Sequence, residues 1–418
     1  MTEAANSSDN ASVSALLRQR DFMLFWVSRF FGSMAGVVLS VAIGWQVYEV
    51  SRATMSVERA ALMLGMVGLF TFLPVLFLTL PAGEAADRHT RRKVMAFSLV
   101  GQIAVAAILT ASAVLKIQSV TFLLCIAALF GIARVYLQPA SAAIVPMLVP
   151  RELLARAIAW NTIAFHSAAI IGPALAGLLV AVSPAYAFGA AAAMYAASLI
   201  AIFTINAKTK PEAQTGSRWE LMKEGLVYVW KEKIVFGAIS LDLAAVLLAA
   251  ATAVLPVFAR DILHVGPEGF GLLRAAPAIG STAVGIYLAT FSIPGRAGKV
   301  MFAGVAVFAL ATIAFGLSNT LWLSVAALII LGGADMLSVF VRHTLIQLVT
   351  PDPMRGRVAA VSSLFIGASN ELGEFRAGVS ARFIGPVASV VLGGVGALAV
   401  TLGWIKLFPA LWKADRLA

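Results

Sequence analysis

The stretch Gly83-Glu84-Ala85-Ala86-Asp87-Arg88-His89-Thr90-Arg91-Arg92-Lys93 decides how this chain is read. It is a polar island between two apolar runs, residues 60–82 and 94–115. The chain is only 12% charged, yet the island gathers Glu84, Asp87, Arg88, Arg91, Arg92 and Lys93. A connection this short makes its two flanking helices close neighbours. Gly83 suits the end of the first helix, because glycine tolerates left-handed backbone. Asp87 then stands ahead of the second helix, whose positive dipole end favours an anion. The basic residues fall at a membrane surface. On composition alone the island is a solvated loop that holds membrane orientation; the order of its residues asks for more.

Working outward, the chain has 418 residues, 61% of them hydrophobic, with a mean hydropathy of +0.93. A water-soluble fold cannot hide that much apolar surface. A spanning helix needs about 20 apolar residues, and twelve such runs are present: 22–48, 60–82, 94–115, 119–145, 157–181, 185–205, 234–258, 268–291, 299–317, 320–346, 358–380 and 384–408. They are continuous and do not alternate, which excludes an outer-membrane barrel. The net charge of +11 is spread over short connections and does not gather into a nucleic-acid footprint. The single cysteine, Cys125, lies in an apolar run and reads as a small buried hydrophobe. The N-terminus has no signal-peptide architecture, so the first span acts as its own insertion signal.

Lys and Arg assign the sides of the membrane. With the N-terminus inside, twenty fall in inside segments and five outside (Arg52, Arg59, Lys116, Arg260 and Arg382). Both termini are therefore expected to be cytoplasmic. The longest polar interval, 206–233, lies near mid-chain, and Trp219, Met222, Leu226, Val229 and Trp230 recur in it at helical spacing. It reads as a cytoplasmic linker with an amphipathic helix. The expected organisation is a cytoplasmic tail at 1–21, a six-helix bundle at 22–205, the linker at 206–233, a second six-helix bundle at 234–408 and a tail at 409–418. The two bundles repeat weakly: Pro150 and Pro351, Arg156 and Arg357, Gly172 and Gly373, and Gly177 and Gly378 are each 201 positions apart. Gly295-Arg296-Ala297-Gly298-Lys299 stands where the second half would repeat the island; it keeps glycine and base but lacks the aspartate.

A charge at the bilayer centre is costly, so those that persist usually face a cavity or a partner. Arg134 and Asp335 carry opposite charge at equivalent repeat positions. Across a pseudo-twofold axis they could face each other over a substrate or proton site, or be unrelated structural contacts. Glu371 and Glu374 are three apart and share a helix face. Two adjoining carboxylates suit a reversible proton carrier, unless Arg376 pairs with one of them. Arg29 and Asp242 come at similar depth in spans 1 and 7 and read as cavity-lining. His166 reads as an interior hydrogen-bonded histidine, and Arg274 and Arg342 as snorkelling groups. Gly172, Pro173 and Gly177 mark a bent, closely packed stretch of span 5. No metal-ligand cluster, phosphate loop or nucleophile–base set occurs, so no cofactor, metal or enzymatic activity is expected.

The island resembles the loop between helices 2 and 3 of the major facilitator superfamily, roughly G-x-(L/A)-(A/S)-D-R-x-(G/T)-R-(R/K), with Gly83, Asp87, Arg88, Arg91 and Arg92 in place. The resemblance implies a charge relay that locks one conformation of a transporter, carried mainly by Asp87 and Arg91. The segment around Gly172, Pro173 and Gly177 partly resembles an element of drug/proton antiporters, with Ala168 and Ala176 where that element has glycines. Arg20–Trp26, Gly44–Glu49, Arg355–Val358, Gly367–Phe375 and Gly393–Gly396 together look like the enterobactin-exporter-like branch, the third drug:proton antiporter group. This implies an all-α membrane protein with twelve transmembrane helices in two pseudo-symmetric six-helix bundles, exporting a siderophore- or drug-like molecule by proton antiport and alternating access. The expected setting is the inner membrane, as a monomer, with the bilayer, protons and a small-molecule substrate as partners and no nucleic acid. The rivals are an importer or uniporter, and a membrane scaffold or signalling protein that moves nothing.

Overall fold

The computed structural model describes residues 15–207, 209, 218–291 and 295–414, and every long element among them is a helix. Among the described residues, eleven helices are long and apolar enough to cross a membrane. They are Arg20–Arg52, Val57–Arg88, Arg91–Val114, Val120–Met147, Arg151–Val182 and Pro184–Phe203, then Lys233–Ile262, Gly266–Thr290, Ala297–Leu317, Leu321–Val349 and Pro386–Leu407. One more helix, Asp352–Ile384, has 33 residues but carries Glu371, Glu374, Arg376 and further charges. It occupies the expected eleventh place, and spans are numbered 1 to 12 accordingly. Sequence signals at the helix ends are modest. Ser119 and Ser183 cap spans 4 and 6 by accepting from the Phe122 and Ala185 amides.

The chain divides into two compact units, Met1–Ile43 with Leu73–Thr215, and Gly44–Phe72 with Gly216–Ala418. The division runs through spans 1 and 2, whose connected ends belong to the second unit. In the first unit, the Ser28 and Ser198 hydroxyls join spans 1 and 6 at 2.8 Å. Ser98 of span 3 donates to the Ala133 carbonyl of span 4 at 2.6 Å. Gly172 lies directly on Val37, where a Cβ would come within 2.7 Å of a methyl group. Pro173 is accommodated inside the same helix.

In the second unit, spans 8 and 10 touch through bare backbone. A Cβ on Gly280 would overlap the Ile329 carbonyl oxygen, and one on Gly332 the Pro277 carbonyl oxygen. Span 7 is regular only to Leu248, then passes through a 3₁₀ turn at Ala251–Val254 and a π turn at Phe258–Ile262. The mid-chain helix runs Arg218–Lys231. It buries Val229 in a cluster with Val235, Ile239, Ile346, Val358 and Val361, with Met222 packed alongside. Trp219, Leu226 and Trp230 of the expected apolar stripe stay exposed, so only part of that stripe serves this contact.

Two local expectations change. The helix of span 2 runs through Gly83 as far as Arg88, and the break is confined to His89 and Thr90. Ala82, Glu84, Ala85 and Ala86 are strong helix formers and override the lone glycine. Asp87 therefore lies in the last turn of span 2, not at the cap of span 3. Cys125 is exposed on the surface of span 4, because the apolar face it occupies points outward. The second-half counterpart of the island turns through left-handed Gly295 and Arg296, with φ of +42° and +61°. It is held by the Gly298 amide on the Ala414 carbonyl at 3.0 Å.

Candidate functional site

Within the first unit, the island's bases fasten helix ends. Arg91 donates through Nη1 to the Ala143 carbonyl and to Met147 Sδ, the latter at 3.1 Å, at the end of span 4. Arg92 donates to the Ile205 carbonyl just beyond span 6. Cations suit these positions, because the last carbonyls of a helix are unsatisfied and carry its negative dipole end. Asp87 lies close enough to Arg91 for their charges to interact. Arg88 forms an exposed ion pair with Glu84 at 2.5 Å, one helical turn back, which adds only tenths of a kcal/mol. Asp21, at the start of span 1, accepts from the Ala207 amide at 2.7 Å.

Deeper in the first unit, Arg29 makes no hydrogen bond or ion pair with any described residue, and its Nε is buried without a partner. Aromatic rings adjoin it in sequence: Trp26 stacks on Phe30 at 5.8 Å and meets Trp160 edge-on at 5.8 Å. Arg134 lies over the Phe130 ring at 5.6 Å. His166 contacts Phe165 edge-on. Gly172 and Gly177 are both buried.

The second unit holds a cluster of intramembrane charges. Asp242 of span 7 pairs with Arg342 of span 10; their residues are 8% and 2% exposed. Asp335, two turns before Arg342, lines with Asp242 and Ser338 one gap of about 10 Å³, closed by Val305 and Phe308. Asp335 is in electrostatic range of both Asp242 and Arg342. Arg342, expected to snorkel, is thus the counter-charge of two carboxylates. Arg134 and Asp335 fall in different units.

A second cluster joins spans 2, 8 and 11. Arg274, also expected to snorkel, lies 3.7 Å from Glu374. The Glu374 side chain rests against Gly68, where a Cβ would meet it at 3.1 Å. The Glu371 carbonyl lies beside the same glycine. Arg376 does not take a neighbouring carboxylate; it donates to Ser380 at 3.4 Å. Two residues along a helix, it points away from Glu374.

Sequence reading missed a third cluster, at the end of span 1. Tyr48 donates to Asp261 Oδ2 at 2.5 Å and Arg52 pairs with Asp261 at 3.0 Å. Arg260 pairs with Glu49 at 3.1 Å. The π turn of span 7 supplies both Arg260 and Asp261. Acid and base pairs at the two span ends were visible in the sequence, but their register was not.

Against known proteins, the profile of the transmembrane secretion effector family matches residues 11–416. The chain belongs to this family. Its members fall within the major facilitator superfamily, so the protein is a multi-pass membrane transporter of small molecules and not an enzyme. The enterobactin exporter of Citrobacter koseri is 24% identical over 393 residues, covering 94% of this chain and 92% of that one. That of Escherichia coli is 25% identical over 391 residues, covering 93% and 92%. Among solved structures, a POT family transporter in complex with 5-aminolevulinic acid superposes with a TM-score of 0.73 at 13% identity, covering 94% of this chain and 96% of that one. A D-xylose–proton symporter gives 0.69 at 13% identity, covering 95% and 99%. These structures support the major facilitator fold with its two six-helix bundles.

Proposed function

We propose that this protein exports a siderophore- or drug-like small molecule across the inner membrane, driven by proton influx, with Asp242, Asp335 and Arg342 as the proton-coupling groups. The observation that carries this is the charge balance of the cluster. Two carboxylates facing one guanidinium hold one excess negative charge in an apolar setting, and a single proton removes it. A membrane interior favours the neutral form and thus gives proton uptake a conformational consequence. Outward direction is supported by the relatives, which are named enterobactin exporters. Glu371 and Glu374 form a second candidate acid pair. Arg29, a cation with no ion-pair partner among the described residues, is the candidate contact for a negative group on the cargo. Asp87, Arg88, Arg91 and Arg92 hold one conformation closed at the cytoplasmic face, with both termini and the 206–233 linker on that side. Bundles at 22–205 and 234–408 rock about a central path, and the transporter acts as a monomer.

The test is flux in liposomes with an imposed pH gradient, over a panel of siderophores and drugs. Collapsing the gradient stops antiport and leaves uniport running. Asp335→Asn is expected to abolish gradient-driven flux; full-rate flux in that variant removes Asp335 from the mechanism.

A further inference from the structure

The mid-chain helix Arg218–Lys231 packs one flank against its unit and leaves the other uncovered. On the packed flank, Val229 is buried among residues of spans 7, 10 and 11. Gly225 lies so close to span 11 that a Cβ would stand 2.8 Å from the Arg357 carbonyl oxygen. The Tyr228 hydroxyl donates to the Val349 carbonyl of span 10 at 3.3 Å. On the uncovered flank, Trp219, Leu226 and Trp230 fall within about 40° of one another around the helix axis. Trp219 is 55% and Trp230 72% exposed, and Leu226 and Val227 are exposed beside them. We propose that this flank docks on the anionic phospholipid headgroups of the leaflet where spans 7 and 12 meet the cytoplasm.

Place, aromatic continuity and charge point to lipid as the occupant. Only Glu232 separates the helix from span 7, which starts at Lys233, so the chain itself holds Trp230 at the membrane boundary. The Trp230 ring packs on Phe236 at 4.9 Å, Phe236 on Phe408 at 5.9 Å, and Phe408 on Trp404 at 5.9 Å. These rings lie at the ends of spans 7 and 12, the level at which aromatic side chains gather at a bilayer surface. The uncovered stripe therefore runs on from the transmembrane wall, which a soluble partner would leave unexplained. Cations accompany it. Lys223 lies over the Trp219 ring at 5.3 Å, and Lys231, Lys233 and Lys406 are exposed near the aromatic row. Lys299 lies over Trp412 at 5.8 Å, just beyond span 12. Against these five lysines stand Glu220 and Glu232, while Glu224 is paired with Arg357. An apolar aromatic stripe bordered by lysines is the pattern of a helix lying in the interface of an anionic leaflet. Its packed flank grips spans 10 and 11, so the leaflet acquires a hold on that corner of the unit.

The proposal rests on the cytoplasmic placement of this face given above, but its test reads lipid contact alone. The full chain is placed in nanodiscs, which expose both membrane faces, so neither the direction nor the coupling of flux enters the result. The disc lipids carry bromine near the top of the acyl chain and quench nearby tryptophans. Parent emission minus that of Trp219→Phe isolates Trp219, which lies roughly 16 Å along the helix from Trp230. Trp219 is therefore quenched only if the helix lies along the bilayer. Its ring is exposed, so the variant is expected to keep the parent's thermal midpoint. The Trp219 emission is expected to be lost in discs containing phosphatidylglycerol, and to recover in phosphatidylcholine discs or when salt screens the lysines. Lys223→Gln with Lys231→Gln is expected to diminish the difference between the two lipids. The proposal is overturned if Trp219 stays unquenched in both discs, as it would with a flank reserved for a soluble protein. Equal quenching by the two lipids, or a lipid difference that survives the double lysine variant undiminished, overturns it as well.

Discussion

Replacing Arg342 by methionine would separate what the span 7–span 10 cluster does for stability from what it does for transport. Arg342 is 2% exposed and its ion-pair partner Asp242 8%, so solvent screens neither. Removing the guanidinium leaves Asp242 and Asp335 along one apolar gap without a counter-charge. Breaking a buried pair from one side costs about 3–5 kcal/mol, because the remaining charge stays desolvated. Removing both partners costs far less, since packed apolar groups of similar volume replace such pairs at no loss. The double variant Asp242→Val/Arg342→Met leaves Asp335 as a single carboxylate that one proton neutralises, so it is expected to recover most of the loss, while Arg342→Met alone falls well below the parent. Chemical denaturation in mixed micelles measures both. Gradient-driven flux in liposomes then reads function, and the stable double variant should be inactive. Two results would refute the reasoning: Arg342→Met as stable as the parent, or the double variant transporting at the normal rate.

Three further outcomes are expected. Asp87→Asn should cut flux sharply with protein level unchanged, and normal flux would reduce the island to an orientation signal. Gly332→Ala drives a methyl group into the Pro277 carbonyl, so it should cost about 1–3 kcal/mol or more, whereas Gly403→Ala, with nothing within 4 Å, should be near neutral in the same denaturation assay. Asp261→Asn strips the charge from a carboxylate that meets Tyr48 and Arg52; amide exchange by mass spectrometry should then quicken at residues 44–52 and 255–263, and unchanged rates there would mean that the contact carries no load.

The architecture was legible in the sequence because spanning a membrane is a local demand. About twenty apolar residues in a row announce themselves, and the family motifs lie on the same segments. Even span 11, the most charged, shows in the sequence as the run 358–380. Pairings were harder. Asp242 stood out as costly, but its partner lies a hundred positions later, and helix phase in a uniformly apolar span leaves no periodic mark by which to find it. Arg342 and Arg274 looked like snorkelling groups for that reason. Asp261 sits just past the predicted end of span 7, in a π turn that shifts the register of side chains. Its contact with Tyr48 spans 213 positions. At the island, Gly83 reads as a stop signal, yet four good helix formers surround it and prevail.

Spans 8 and 10 meet backbone to backbone at Gly280 and Gly332, and Gly333 receives a Val284 methyl group of span 8. Helices that close cannot slide by one residue without forcing a Cβ into a carbonyl, and packed interiors switch between arrangements instead of shearing continuously. Mechanically the two helices are a laminated beam: they bend and tilt together or not at all. Any flexure in the second unit therefore has to fall where the backbone leaves the α-helix, and Ala251–Val254 and Phe258–Ile262 of span 7 are such places. The stiff member and the joint are adjacent in this unit, and the joint is the segment that carries Arg260 and Asp261.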